Sequence, residues 1–362
     1  MVQSSSASTG RTRLPSRFSG STTGMAHFFR SLAHLLTQRS VKLLIGAWIA
    51  ANILALVIAH GTLPFDRSSL ASESVAQQVL GANIGLLEIF VLFLVVMAMT
   101  WHRAAPDIAA RAPAWTEARR EVVLVVSYGI LAQLGGVVLG QAFHWHPISF
   151  HIAGTIYGAH QHDIVTQPEV FAWALYNVTF FALVPWLVFR RHYSADELLL
   201  RSHDRRRDTL LIVVILLIES SAQLAGVSDA ILHLSPHQLL LGLPLTFVLY
   251  FVGTVLPTMV FVYSILLPRY LKLTGSMAVT AMLGGATYAL LHLFEAWTVF
   301  TSPGNIALSV IFIFLQYFGP GMFKSVLTLR TGNAWGHVWA YHAIAPHVVI
   351  DTPLMVRAFH IR

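Results

Sequence analysis

The chain has 362 residues, of which 56% are hydrophobic and only 11% are charged, and its mean hydropathy is +0.66. A soluble domain carries about twice that share of charge, so the composition excludes an ordinary soluble protein and predicts a polytopic membrane protein. The formal net charge of +7 does not indicate nucleic-acid binding, because the arginines fall in short runs between apolar segments. Cysteine is absent, so any metal must be held by histidines and carboxylates.

The first two thirds of the chain consist of a polar tail followed by apolar runs. Residues 1–38 begin with a stretch rich in Ser, Thr and Gly, with little apolar surface to bury, and are predicted to be a disordered cytoplasmic tail. Residues 39–237 are predicted to form N-terminal transmembrane helices with basic cytoplasmic loops. Arg39 and Lys42, before the first apolar run, place the N-terminus in the cytoplasm. A bacterial inner membrane fits this topology.

Apolar runs long enough to cross a bilayer recur along the chain. We predict spans at about residues 43–60, 80–100, 122–143, 170–189, 209–227, 239–267, 277–297, 306–328 and 334–356. Unpaired backbone groups find no water in hydrocarbon, so every span should be helical. The last run is polar enough to be re-entrant, and the predicted fold is an all-α polytopic transmembrane bundle of about eight to nine spans.

Histidines are concentrated in the predicted far-side loop, residues 144–162, which contains no Lys or Arg. They are His144, His146, His151, His160 and His162. Imidazole suits Zn, Cu and Ni, so the loop could hold a metal in a metal-handling or transporter-like protein. The spacing matches no metal-binding motif, however, and histidines also occur at membrane interfaces. Both interpretations stay open.

Ionisable groups in the last third of the chain are the strongest functional signal, because such groups are costly at membrane depth. His292 lies in an apolar span, and His342 lies in the stretch 331–351, TGNAWGHVWAYHAIAPHVVID. Each could also be a core histidine that donates to a carbonyl. An α-helix turns by about 100° per residue, which separates His337, His342 and His347 by about 140° and predicts that they do not share one ion.

His342 therefore needs a partner from another segment, and we expect that partner to be His292. Two histidines and one carboxylate would suffice for a catalytic zinc with an open position for water. Glu295 follows His292 by three residues and lies on a neighbouring face, although it could equally cap the helix or meet water. We predict His292, His342 and Glu295 as catalytic residues, with His292 and His342 as the metal ligands.

Other carboxylates are weaker candidates for this site. Glu88 and Glu219 lie deep in predicted spans, where each could point into the bundle, form a buried hydrogen bond or stay protonated. Asp351 follows His347 by four residues, which predicts a local pair on one helix with a structural role.

Two short motifs carry a resemblance to a known family. Tyr288-Ala-Leu-Leu-His292 and His342-Ala-Ile-Ala-Pro346, the latter preceded by Thr331-Gly332-Asn333 and Trp335, are similar to the Phe-x-x-x-His and His-x-x-x-Asn motifs of the CPBP intramembrane proteases. That family comprises the CAAX-processing and bacteriocin-processing membrane endopeptidases. The resemblance predicts that residues 238–356 form a CPBP-like protease core.

The family's first motif, Glu-Glu-x-x-x-Arg, aligns with positions that have lost every charged group. Pro257 and Thr258 stand at the glutamates, and Val262 stands at the arginine. In the family the glutamates activate the water that attacks the peptide carbonyl, helped by the two histidines, in a metal-assisted or a purely glutamic mechanism. Neither Pro nor Thr can act as a general base, so the sequence leaves open whether the chain is an enzyme.

Two functions follow from the resemblance. In the first, the chain is an intramembrane endopeptidase that hydrolyses membrane-associated peptides or proteins near the cytoplasmic side, with zinc as the implied metal. In the second, it is a catalytically inactive relative that binds a peptide, a lipid or a partner helix. The lipid bilayer is an expected partner in both.

Overall fold

The computed structural model describes residues 33–65, 73–152, 165–226 and 229–362. All regular structure in these residues is helical, which confirms the predicted all-α class. The main helices are α1 (Arg39–Ala59), α2 (Val75–Thr100), α3 (Trp115–Ala142), α4 (Gln167–Arg190), α5 (Arg205–Gly226), α6 (Pro236–Thr274), α7 (Met277–Leu291) and α8 (Pro303–Thr331). Within this described part, the seven helices other than α7 are long and apolar enough to span a membrane.

The chain divides into two compact units, residues 1–45 and 46–362. In the first unit the described residues are a helical turn at 33–37 and the beginning of α1, and the predicted tail otherwise lies outside the described residues. The second unit holds the rest of the chain, a bundle with the candidate site. It also contains a short 3₁₀ turn, Ala109–Arg111, and a short helix, Asp229–Leu232.

Two predicted spans differ from the structure. The predicted span 277–297 ends at Leu291, because His292 caps α7 and a turn follows. The predicted span 334–356 is broken into α9 (Ala334–His337), π-helical turns at Val338–His342 and Ala345–Val349, and α10 (Ile350–Ala358). Pro346 disfavours α-helix at the residue before it. Most of this C-terminal segment, residues 334–358, is buried in protein, where irregular backbone at membrane depth is tolerated.

Glycines allow α7 and α8 to pack closely. A Cβ atom added at Gly285 would lie 2.8 Å from the Phe318 carbonyl oxygen, and one added at Gly321 would lie 2.6 Å from Cβ of Tyr288. Small residues at a membrane helix interface let the two backbones approach. The approach places the end of α7, where His292 lies, beside Tyr317 of α8.

The helix α6 contributes many residues to a large apolar cluster and contains two π-helical turns, Phe251–Val255 and Met259–Leu266. Another π-helical turn, Val178–Leu183, interrupts α4. Phe261 of α6 packs edge-to-face on Phe181 of α4, with ring centroids 5.5 Å apart. Phe181 in turn packs on Phe150 of the loop after α3, with centroids 4.8 Å apart. The loop is thereby drawn into the bundle.

Candidate functional site

Three buried side chains bring their ligand atoms together inside the bundle. The group consists of His151 from the loop after α3, with His292 and Glu295 from the end of α7, and the ligand atoms lie within 4.8 Å of one another. The three residues are 6%, 0% and 1% exposed, respectively. In the described residues this is the one group of His and carboxylate side chains that is close enough to hold a metal ion.

His292 is held in one orientation by the helix that it ends. Its Nδ1 lies 2.7 Å from the Tyr288 carbonyl oxygen, a last-turn carbonyl that the end of the helix leaves open. Because a carbonyl only accepts, Nδ1 carries the proton and Nε2 keeps its lone pair. Nε2 has no hydrogen-bond partner among the described residues. Metal-binding histidines show this arrangement, in which the second ring nitrogen donates to a fixed acceptor.

His151 is positioned by the backbone of its loop. The Ser149 carbonyl accepts from Trp173 Nε1 at 3.0 Å and from Asn177 Nδ2 at 2.7 Å, which anchors the loop against α4. His151 Nδ1 then lies 3.2 Å from Glu295 Oε1. Burial and, to a smaller extent, the nearby positive charge of Lys324 together lower the pKa of His151 to about 3. The imidazole is therefore neutral at physiological pH, the form that binds metals.

Glu295 faces the two histidines from one turn beyond the end of α7. Ser149 Oγ donates to Glu295 Oε1 at 3.3 Å, while Glu295 Oε2 has no hydrogen-bond partner within the described part of the chain. A buried carboxylate oxygen without a partner is costly, and a bound cation or water would remove that cost.

His342, the predicted partner of His292, lies behind a tyrosine. The Tyr288 hydroxyl is 3.4 Å from His342 Nε2, and the Tyr288 ring packs on His292 with centroids 4.5 Å apart. Lys324 Nζ sits 3.7 Å from the centroid of the same Tyr288 ring. His342 is fully buried, but it does not belong to the group that could share one ion.

As predicted, His337, His342 and His347 form no group that could share one ion, but their rings lie closer together than the expected angular separation implies. The ring centroids of His337 and His342 lie 6.0 Å apart, and those of His342 and His347 lie 5.1 Å apart. The prediction assumed an α-helix, whereas π-helical turns widen the helix and bring residues five apart onto similar faces. His347 continues the row to His151, with ring centroids 5.2 Å apart.

The local pair predicted between His347 and Asp351 is confirmed, because His347 Nδ1 lies 3.0 Å from Asp351 Oδ2.

The positions aligned with the family's first motif bring no carboxylate to the site. Pro257, Thr258 and Val262 are all buried, and Thr258 Oγ1 donates to the Thr254 carbonyl of its own helix at 2.7 Å. Glu219 and Glu88 interact with each other, and Gln223 Nε2 donates to Glu219 at 2.9 Å. Neither belongs to the group around His292.

Among its described residues, the loop after α3 contributes one histidine to the site. His146 Nδ1 instead pairs with Glu169 at 2.6 Å, and His144 is exposed. His160 and His162 lie outside the described residues. The sequence signal that could have identified His151 is its apolar setting between Ile148, Phe150 and Ile152, which are all buried.

No protein-family model, no curated protein and no solved structure matches this chain.

Proposed function

We propose that this integral membrane protein is a metal-dependent intramembrane endopeptidase whose ligands are His151, His292 and Glu295. The observation that carries the proposal is the convergence of their ligand atoms within 4.8 Å in a buried site. Two histidines and one glutamate form the ligand set of several zinc peptidases and leave a fourth position open. The peptide as substrate rests on the resemblance of the segments 288–292 and 342–346 to the CPBP motifs.

The residues fit a zinc ion by their chemistry and by their unsatisfied atoms. His292 Nε2 and Glu295 Oε2 are both buried and without hydrogen-bond partners in the described residues, and both belong to the same group. His292 already has the tautomer that ligation by Nε2 requires. A bound zinc would supply Lewis acidity, which polarises a carbonyl and lowers the pKa of a water molecule.

The chain's own residues would perform the remaining tasks. Ser149 Oγ donates to one oxygen of Glu295 and fixes the carboxylate, which leaves the second oxygen, Oε2, to bind the ion. Glu295 thus supplies the carboxylate that Pro257 and Thr258 cannot. Tyr317 and Tyr288 pack against His292 and keep bulk water out, which strengthens electrostatic interactions inside the site.

The position of the site favours cleavage in the membrane half away from the cytoplasm. His151 follows the end of α3, whose opposite end carries Arg119 and Arg120, and His292 ends α7, which begins just after Lys272. Basic residues are enriched on the cytoplasmic side. This proposal replaces the expectation, made from the sequence, of cleavage near the cytoplasmic side.

The experiment that tests the function measures zinc content and peptide cleavage on the same purified protein. The protein would be stripped with a chelator, reloaded with zinc, reconstituted in lipid nanodiscs and incubated with a set of single-span model peptides. We expect about one zinc per chain and zinc-dependent cleavage, both lost in His151→Ala, His292→Ala and Glu295→Gln. His102→Ala, at an exposed histidine near the end of α2, is the matched control. Equal zinc content in all five proteins would refute the metal site.

A catalytically inactive relative is the second candidate, and two observations favour it. The first-motif positions carry no carboxylate, and the three proposed ligands are at most 6% exposed, which leaves a substrate little access. Zinc bound at one per chain without cleavage of any peptide in the set would support this candidate over the protease.

A further inference from the structure

A groove on the outer surface of the bundle lies between the first half of α3 and the last half of α4. It encloses a volume of about 430 Å³, within the range of small-ligand sites. Its lining combines apolar and charged side chains, namely Glu117, Arg120, Glu121, Leu124, Val125, Tyr128, Val184, Pro185, Val188, Phe189, His192 and Tyr193. None of these residues belongs to the proposed metal site.

Two hydrogen bonds join the walls of the groove, one at each of its ends. At the end near the middle of α3 and α4, the Tyr128 hydroxyl donates to the Phe180 carbonyl at 2.7 Å. At the end that carries the basic residues, the Tyr193 hydroxyl donates to Glu121 Oε1 at 2.6 Å. The buried guanidinium of Arg269 supports the floor, lying over the rings of Phe189 and Tyr193 at 4.7 and 4.6 Å. The groove is therefore a built feature of the fold.

The wall of the groove suits an acyl chain. Leu124, Val184 and Val188 are 59%, 36% and 49% exposed, on helices that are long and apolar enough to span the membrane. In a bilayer these side chains face lipid, so the groove is open to hydrocarbon chains along its length.

The mouth of the groove has unbalanced positive charge. Both carboxylates of the lining are already paired, Glu117 with Arg120 at 2.8 Å and Glu121 with Arg269. Two further arginines, Arg190 and Arg191, lie in sequence between the lining residues Phe189 and His192. Neither has a carboxylate within ion-pair distance in the described residues, and Arg190 donates to the Tyr193 carbonyl at 2.5 Å. Clusters of arginine at a span end attract anionic lipid headgroups.

We propose that this groove binds an anionic phospholipid of the bilayer. One acyl chain lies against Leu124, Val184 and Val188, and the phosphate group pairs with Arg190 and Arg191. The inference is independent of the metal site and of the proposed peptidase activity.

The test uses the full chain purified in a mild detergent and measures bound lipid by native mass spectrometry after titration with phosphatidylglycerol or phosphatidylcholine. Val188→Trp fills the groove, and Val138→Trp, at an exposed position in the other half of α3, is the matched control. We expect Val188→Trp to reduce phosphatidylglycerol binding at least fivefold and Val138→Trp to leave it unchanged. Equal binding in both variants would overturn the site.

The headgroup assignment has its own test. The double variant Arg190→Gln/Arg191→Gln should lose at least threefold in affinity for phosphatidylglycerol but not for phosphatidylcholine. Its thermal unfolding should match that of Arg206→Gln, an exposed arginine at the start of α5, which shows that the fold is intact. Equal affinity of the unmodified chain for the two lipids would refute an anionic ligand.

Discussion

The ring of Tyr317 lies flat against the ring of His292, with centroids 4.0 Å apart and an interplanar angle of 18°. The hydroxyl of the same tyrosine lies 3.2 Å from His151 Nδ1. One side chain of α8 therefore contacts both histidines of the proposed metal site, although the two histidines come from different parts of the chain. This contact makes Tyr317 a positioning residue for the ligands.

Removal of the Tyr317 hydroxyl should weaken metal binding while keeping the stacked ring. We expect Tyr317→Phe to lower zinc affinity about tenfold, the lower end of the range for groups that orient metal ligands. Competition with a chromogenic chelator measures the affinity. Tyr270→Phe, which removes a hydroxyl bonded to Thr287 at 2.9 Å, is the control and should keep full affinity. Unchanged affinity in Tyr317→Phe would remove Tyr317 from the site.

His342 and His292 should respond differently to substitution. Because Tyr288 lies between His342 and the proposed ligands, we expect His342→Ala to retain about one zinc per chain, whereas His292→Ala loses it. The measurement is metal content by mass spectrometry after gel filtration. Equal loss of zinc in the two variants would restore the pair predicted from the sequence, His292 with His342.

The buried ion pair of Arg269 and Glu121 should contribute strongly to stability. Arg269 is 1% exposed and its Nε donates to Glu121 Oε2 at 2.5 Å. Glu121→Gln leaves the guanidinium buried without a counter-charge, which costs about 3–5 kcal/mol. Unfolding of the protein in mixed micelles with increasing denaturing detergent measures the loss. Glu117→Gln breaks the exposed pair with Arg120, and it should cost less than about 1 kcal/mol.

The contact between α7 and α8 should not tolerate a side chain at Gly285. An added Cβ would lie 2.8 Å from the Phe318 carbonyl oxygen, a backbone atom that cannot rotate away. We expect Gly285→Ala to destabilise the protein by about 1–3 kcal/mol, the usual cost of overpacking. Gly81→Ala, in α2, has no atom within 4 Å of its added Cβ and should be neutral or stabilising. A stability loss at Gly81 as large as that at Gly285 would contradict this explanation.

The sequence by itself determined the class of the protein and the approximate bounds of most spans. Long apolar runs in a chain of low charge leave helices as the structure that satisfies the backbone in hydrocarbon, so the fold class needed no tertiary information. The span predicted at 80–100 ends at the same residue as α2, Val75–Thr100. The contact between His347 and Asp351 was also predictable, because residues four apart are neighbours on a helix.

Only the tertiary structure decided which ionisable groups meet. His151 and His292 are far apart in sequence, and no periodicity specifies that the loop after α3 folds back onto the end of α7. Burial of Phe150 and the two hydrogen bonds to the Ser149 carbonyl bring the loop there. The π-helical turns of the C-terminal segment likewise depend on burial within the bundle, and they place His337, His342 and His347 in a row that α-helical geometry does not allow.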